Sequence, residues 1–512
     1  MPTTRAFSSS VAQVKEKVKA AAATARALNS VDSDPWGPAP DWQASTSYFA
    51  GSIVKANGYL YLMFGNSSSG AGVAGTSGAS TPFNANPFSS GQDVGLISDN
   101  TCRWLYYGVA RSVGSRPLVS TVTPAASSDV MDGYLAIVAA SAMSTIGLTR
   151  VIDVTATQTA NDRLFWMTGG PFAIEGGHPL IQGPNNATAA SPSYPDSLRR
   201  PVVDMVTDAR WIAFQGAGPM YAGTPFLIEV NGRLLSPAAF RVPSLASNSC
   251  LLIDLSTFNG EKSVRIYGYQ NIRSTLTYLV YVGPRDSVRA PKNPMRFGLA
   301  FDGDSITQGS YSSPINPGLG VDVLTARRIG CDHFYNNAIG GTGFLANSSG
   351  TKTTLAERLD RISSFNPDIL VLGGNHNDAV GTYSSAQRQA AVVSYLQAAR
   401  AALPRCAFFV TGGHLLQSES ATGANQLTLE ADMSAAVTTF GDVNTVFVPV
   451  LTDPAGAWTS GTGTGNSPQS NGNKDRFYWK IASVFTDSHP IPPFYDMLSA
   501  RLANAIWSWA NS

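Results

Sequence analysis

The sequence predicts a multidomain protein. Its last part is an α/β domain, a flavodoxin-like parallel sheet with helices on both faces. An all-β jelly-roll sandwich and a small aromatic-rich β module precede it. Three observations predict this. From residue 293 onward, short apolar runs alternate with segments of helical periodicity, the pattern of βαβ units around a parallel sheet. Residues 111–292 hold short strand-like runs with turns between them and few helical patterns, which suits a sandwich. Residues 34–110 concentrate Trp, Tyr and Gly around a hairpin signal. At 512 residues the chain is too long for one ordinary domain.

Residues 1–33 are read as a helical arm, Ala-rich and punctuated by Lys, for attachment or oligomerisation. They lack the uninterrupted apolar core of a signal peptide. No run in the chain is long and apolar enough to span a membrane. In the module at 34–110, Trp42 leads to Tyr48, and Asn57-Gly58 separates Ile53-Val54-Lys55 from Tyr59-Leu60-Tyr61, a two-residue hairpin signal. Tyr61 and Trp104 are expected in its core, since a tiny domain needs the apolar area of such rings. In 111–292, strands are expected at 210–214, 225–230, 250–255, 263–267 and 276–282, with Asn231-Gly232 as a turn. In 293–512, strands are expected around Leu299, Phe334, 369–372, 408–410 and 446–450. Helices are expected at 355–362, 385–402, 427–440 and 495–509. A polar loop over 452–473 follows the last strand.

Composition excludes several functions. The net charge is +1 and only 13% of residues are charged, so there is no basic footprint for nucleic acid. Cys102, Cys250, Cys331 and Cys406 have no paired spacing and are read as free thiols rather than disulfide or zinc ligands. No metal and no cofactor are expected. Gly461-Thr462-Gly463-Thr464-Gly465 lacks the Lys of a phosphate loop.

The chemistry centres on Phe297-Gly298-Leu299-Ala300-Phe301 running into Asp302-Gly303-Asp304-Ser305. A Ser in a Gly/Asp turn right after a buried strand is where α/β hydrolytic folds present a nucleophile. Three stretches follow: Asn336-Asn337-Ala338-Ile339-Gly340-Gly341-Thr342-Gly343, then Asn375-His376-Asn377-Asp378 after an apolar run, then Asp487-Ser488-His489-Pro490. Imidazole titrates near neutral pH and can serve as base. Of the five histidines, only His489 has an Asp and a Pro beside it.

These four stretches, in this order, resemble the SGNH (GDSL-type) hydrolase superfamily over residues 294–512. The resemblance implies Ser305 as nucleophile and His489 as base. It implies an oxyanion hole from the N–H groups of Ser305 and Gly341 and the side chain of Asn377. Asp487 stands one residue closer to His489 than the family's acid does, and Asn375 stands where the family has Gly. The imidazole is therefore held either by Asp487 or by a backbone carbonyl. His376 and Asn375 are expected to touch substrate.

The order of aromatics and glycines in 34–110 resembles small chitin-binding-type carbohydrate modules, also seen in phage tail proteins, with Trp42 and Tyr48 as sugar-facing rings. Jelly rolls ahead of an SGNH domain resemble the arrangement of carbohydrate esterases. The expected function is a serine esterase that removes O-acetyl groups from a polysaccharide. Its expected setting is a virion tail, a tailspike or fibre and as such a possible homotrimer, or another extracellular or cell-surface site. The alternatives are a general carboxylesterase or lipase on the same domain, and a non-catalytic glycan-binding adhesin.

Overall fold

The computed structural model describes residues 11–29, 41–48, 52–66, 70–71, 75–87, 96–109, 130–131, 135–139, 143–144, 148–153, 173–175, 202–215, 225–231, 233–235, 240–241, 249–268, 279–289, 297–308, 320–331, 333–348, 350, 353–373, 376–380, 382–414, 424–454 and 492–512. Helix α1 (Val11–Asn29) comes first. In the small module, β1 (Ser47–Tyr48) pairs with β5 (Gly75–Thr76). A second sheet runs β2 (Ile53–Ala56), β3 (Tyr59–Asn66), β7 (Cys102–Val109), β6 (Leu96–Asp99), with β4 (Gly70–Ala71) beside β3. The β2–β3 turn has Asn57 at φ 51° and Gly58 at φ 81°, two successive positive values that match the twist of a hairpin. Tyr61 and Trp104 are buried as expected, and Tyr61 stacks on Phe83 at 4.0 Å between ring centroids.

Two antiparallel sheets follow. One runs β10 (Thr149–Asp153), β19 (Leu279–Val282), β13 (Trp211–Gln215), β17 (Ser249–Asp254), β9 (Leu135–Ala139), β8 (Val130–Met131). The other runs β11 (Ala173–Glu175), β12 (Val202–Thr207), β18 (Lys262–Gly268), β14 (Pro225–Val230), β15 (Arg233–Leu234). In this second sheet β16 (Phe240–Arg241) lies beside β14 and β20 (Val288–Arg289) beside β12.

The C-terminal unit is built on β21 (Gly298–Gly303), β22 (His333–Asn336), β23 (Ile369–Gly373), β24 (Ala407–Thr411) and β25 (Thr445–Val448). They pair in the order β22-β21-β23-β24-β25, all parallel. Its helices are α2 (Ser305–Gln308), α3 (Val321–Arg328), α4 (Leu359–Phe365), α5 (His376–Val380), α6 (Ser385–Ala402), α7 (Ala424–Phe440) and α8 (Pro492–Asn511). Side chains alternate between faces along a strand, and both faces are apolar here. Leu299, Phe301, Val371 and Phe409 join α3 and α8 in one core cluster. Ala300, Leu370, Leu372 and Phe408 join α4, α6 and α7 in the other. A strand buried on both faces reads as an unbroken apolar run, which is why these strands were visible in the sequence.

Helix α1 packs against the α/β unit. Val14 and Val18 are buried in the cluster formed with α3 and α8. Lys15 Nζ donates to the Ser512 carbonyl at 3.2 Å and lies 5.1 Å from the centre of the Trp509 ring. The first and last described helices thus share one core. The sheet that contains β14 and β18 is tied to the same unit: Glu229 of β14 accepts from Arg327 of α3 and from the Tyr267 hydroxyl of β18 at 2.8 Å.

The strand order reverses around β21, whose neighbours are β22 on one side and β23 on the other. In open parallel sheets, ligands bind at the carboxyl ends of the strands flanking such a reversal. Ser305 follows β21 and His376-Asn377 follow β23.

Candidate active site

Ser305 opens the one-turn helix α2. The turn leading into it depends on Gly303. A methyl group on Gly303 would lie 1.9 Å from the Gly373 carbonyl oxygen and 2.6 Å from Thr307 Oγ1, so β21 and β23 close to this spacing only with glycine there. Asp304 then caps α2. Its Oδ1 accepts the Ile306 N–H at 2.9 Å, as an N-cap side chain does. Its Oδ2 accepts the His376 N–H at 2.8 Å. One buried carboxylate therefore fixes both the serine turn and the start of α5. Burial pushes the Asp304 carboxyl up from its ordinary pKa, and the bond from the His376 N–H opposes this.

The glycine turn after β22 is held to the same strand end. The Asn337 N–H donates to the Phe301 carbonyl at 2.8 Å and the Ile339 N–H to the Gly303 carbonyl at 3.1 Å. A methyl group on Gly340 would lie 3.1 Å from the Ser305 Cβ, which brings this turn directly against the serine. Gly341 is next, at φ 78°, a value that glycine adopts without strain. Asn377 Nδ2 donates one hydrogen to the Thr342 carbonyl at 2.9 Å, and a primary amide carries a second. The Asp378 carboxylate accepts the N–H groups of Phe344, Leu345 and Ala346 at 2.7, 3.1 and 2.8 Å. Asn377 and Asp378 together pin the loop that carries Gly341.

Behind the glycine turn lies a fully buried ion pair. Arg358 Nη2 and Nε donate to Asp302 Oδ1 at 2.6 and 2.9 Å. The same guanidinium donates to the Gly303 carbonyl at 2.8 Å, the Thr342 hydroxyl at 2.9 Å and the Thr353 carbonyl at 2.7 Å. Asn337 Nδ2 completes the Asp302 carboxylate at 3.0 Å. Only arginine has the donors and the planar fork for this set. Breaking such a pair from one side costs about 3–5 kcal/mol. Sequence reasoning missed Arg358, because its partners Asp302 and Thr342 are 56 and 16 residues away and no local motif joins them.

The His376 ring is half-buried, and its Nδ1 meets Gln426 Nε2 of α7. His414, at the end of β24, is buried beside it. Burial pushes the His414 pKa down to about 3, with the nearby His376 adding to the effect, so His414 is neutral at working pH.

The structure thus gathers Ser305, Gly341, His376 and Asn377 around one strand reversal. Asn375, Asp487 and His489 lie outside the described residues. Trp42 and Tyr48 lie in the small module. The Trp42 and Trp104 indole N–H groups both donate to Asp99, at 2.9 and 2.8 Å. The Tyr48 hydroxyl accepts the Gln43 N–H at 2.7 Å, and its ring packs 4.9 Å from that of Trp104. Among the described residues, no group of three or more His, Cys, Asp or Glu is arranged to hold a metal ion. None of the four cysteines is in a disulfide, and all are buried. No described helix is long and apolar enough to cross a membrane.

A half-buried serine thus lies against a glycine turn, and the Asn377 amide holds the far end of that turn. Comparison with known proteins decides the kind of domain. Residues 301–474 match the GDSL-like Lipase/Acylhydrolase family. The α/β unit thus resembles GDSL-type hydrolase domains, and the match supports an ester hydrolase. No curated protein matches the chain. Among solved structures, the chain is similar to a family two carbohydrate esterase from Cellvibrio japonicus, at 15% identity and TM-score 0.45, covering 66% of this chain and 96% of that one. It is also similar to an acetyl xylan esterase from the rumen bacterium Butyrivibrio proteoclasticus, at 14% identity and TM-score 0.41, covering 71% and 98%. At such identities nothing about substrate passes from these proteins to the GDSL-type domain described here.

Proposed function

We propose that the chain is a serine esterase that removes O-acetyl groups from a polysaccharide. The observation that carries the hydrolytic part is the GDSL-type domain with Ser305 on the turn after β21, Gly340 against its Cβ and the Asn377 amide beside the same turn. In this reading Ser305 Oγ attacks the acyl carbonyl while His489 takes its proton. The oxyanion is met by the N–H groups of Ser305 and Gly341 and by Asn377 Nδ2. The sugar hydroxyl leaves with the proton from His489. A water, deprotonated in turn by His489, then releases acetate from Ser305. Asp487 or a backbone carbonyl holds the imidazole. His376 and Asn375 line the substrate side.

The glycan substrate is drawn from the aromatic module and the sandwich ahead of the hydrolase domain, with Trp42 and Tyr48 as sugar-facing rings and a virion tail or another extracellular site as the setting. The matching family also includes lipases, so a general carboxylesterase is the second reading. Acetate release from an O-acetylated polysaccharide separates the two. The proposal expects release that exceeds hydrolysis of a long-chain ester and disappears in Ser305→Ala. Preference for the long-chain ester would favour the second reading. Binding of the polysaccharide without hydrolysis of any ester would favour an adhesin.

A further inference from the structure

We propose that Gln308 is a positioning residue for the oxyanion hole. It acts through the glycine turn and not on the substrate. The inference rests on the serine-esterase reading and adds a residue that the family pattern does not name.

Three observations carry it. First, Gln308 shares the single turn of α2 with Ser305, three residues on, so both side chains leave the same side of the helix. Second, Gln308 Oε1 accepts the Gly340 N–H at 2.8 Å. A backbone N–H can be met only by the carbonyl oxygen of the amide, so this contact fixes which way the amide points. Third, Gly340 sits between the two side chains. A methyl group there would lie 2.9 Å from Gln308 Oε1 and 3.1 Å from the Ser305 Cβ.

The consequence falls on the next peptide. The Gly340 N–H is engaged, so it is not available to an oxyanion. Among the described residues none accepts from the Gly341 N–H, and its φ of 78° turns the chain at this point. Gln308 therefore decides which glycine N–H serves the oxyanion, and it sets that N–H relative to Ser305 from within the nucleophile's own helix. Gln308 is buried, and away from water such a bond holds its geometry more tightly. Arg358 braces the far side of the same turn through the Thr342 hydroxyl. Gln308 braces the near side. Misplacement of a reacting group by about 1 Å can cost on the order of a hundredfold in rate.

The test is Gln308→Met in the full chain, a change that keeps length and removes the acceptor. With p-nitrophenyl acetate, the proposal expects kcat to fall at least about tenfold while KM stays within about twofold. Thermal unfolding reports whether the variant is folded. Amide hydrogen exchange at Gly340, read by NMR, supplies a second arm that needs no activity. Exchange should be slow in the native protein and clearly faster in the variant. A folded variant with native kcat, or with unchanged Gly340 exchange, would overturn the proposal. If the native protein hydrolyses no ester, the serine-esterase reading fails, and the exchange arm still decides whether Gln308 holds the turn.

Discussion

Asn377 is the residue whose loss should be read first in rate. One amide hydrogen is held by the Thr342 carbonyl, and among the described residues nothing holds the other, which can meet a developing negative charge. Asn377→Ala should lower kcat by about a hundred- to a thousandfold, with KM far less affected. Equal activity in a folded variant would remove Asn377 from the site. His414 makes a different prediction. Its folded pKa is pushed down to about 3 by burial, whereas a free imidazole titrates near 6.5. Between those values the unfolded chain binds a proton that the folded chain refuses. His414's contribution is therefore intact above about pH 6.5, and stability falls as pH drops toward 3. His376 is the titratable neighbour that adds to the depression. Urea midpoints between pH 7 and 4.5 should fall more steeply for the native protein than for His414→Gln. Identical slopes would contradict this account.

At the scale of elements, α1 carries the sharpest test. Val18 is buried in the core shared with α3 and α8, so Val18→Ala should lower stability by about 1–3 kcal/mol. An unchanged unfolding midpoint would mean that α1 stands free of the hydrolase domain. The sequence made some elements legible and hid others for physical reasons. Helix α6 shows clear punctuation: Ser384 and Gln387 form a reciprocal capping box, and the helix runs over the expected 385–402. Helix α8 begins three residues before the expected start and ends two after it, since helix ends carry the weakest pattern. Helix α3 was not read at all. Its residues 321–326 are all buried, the polar Asp322 and Thr325 among them, so its polar residues do not mark a solvent face, and amphipathic periodicity is the usual signal for a helix. The helical pattern at 355–362 resolves into a short 3₁₀ turn (Ala356–Arg358) followed by α4. The same limit applies in the candidate site. Ser305, Gly341 and Asn377 lie in short motifs and were legible. Arg358 and Gln308 act through contacts that only the fold creates.

At the scale of the whole molecule, the order β22-β21-β23-β24-β25 explains why motifs far apart in the chain converge. Parallel strands point every carboxyl end to one edge of the sheet, and the reversal at β21 opens a crevice there. Glu430 of α7 extends the same logic beyond the last strand. Its carboxylate accepts the N–H groups of Leu451 and Thr452, both at 2.8 Å, and the Thr452 hydroxyl at 2.6 Å. It thereby fixes where the chain leaves β25 on its way toward His489. The sheet that contains β14 and helix α1 both meet the face that carries α3 and α8, through Glu229–Arg327 and Val18.

The central claim is that Ser305 is the nucleophile of an ester hydrolase. The most direct measurement is covalent trapping of the native protein with a fluorophosphonate, followed by peptide mapping, beside Ser305→Ala. The account predicts one adduct, on the peptide that contains Ser305, and none in the variant. No adduct on the folded native protein, or an adduct that persists in Ser305→Ala, would contradict it.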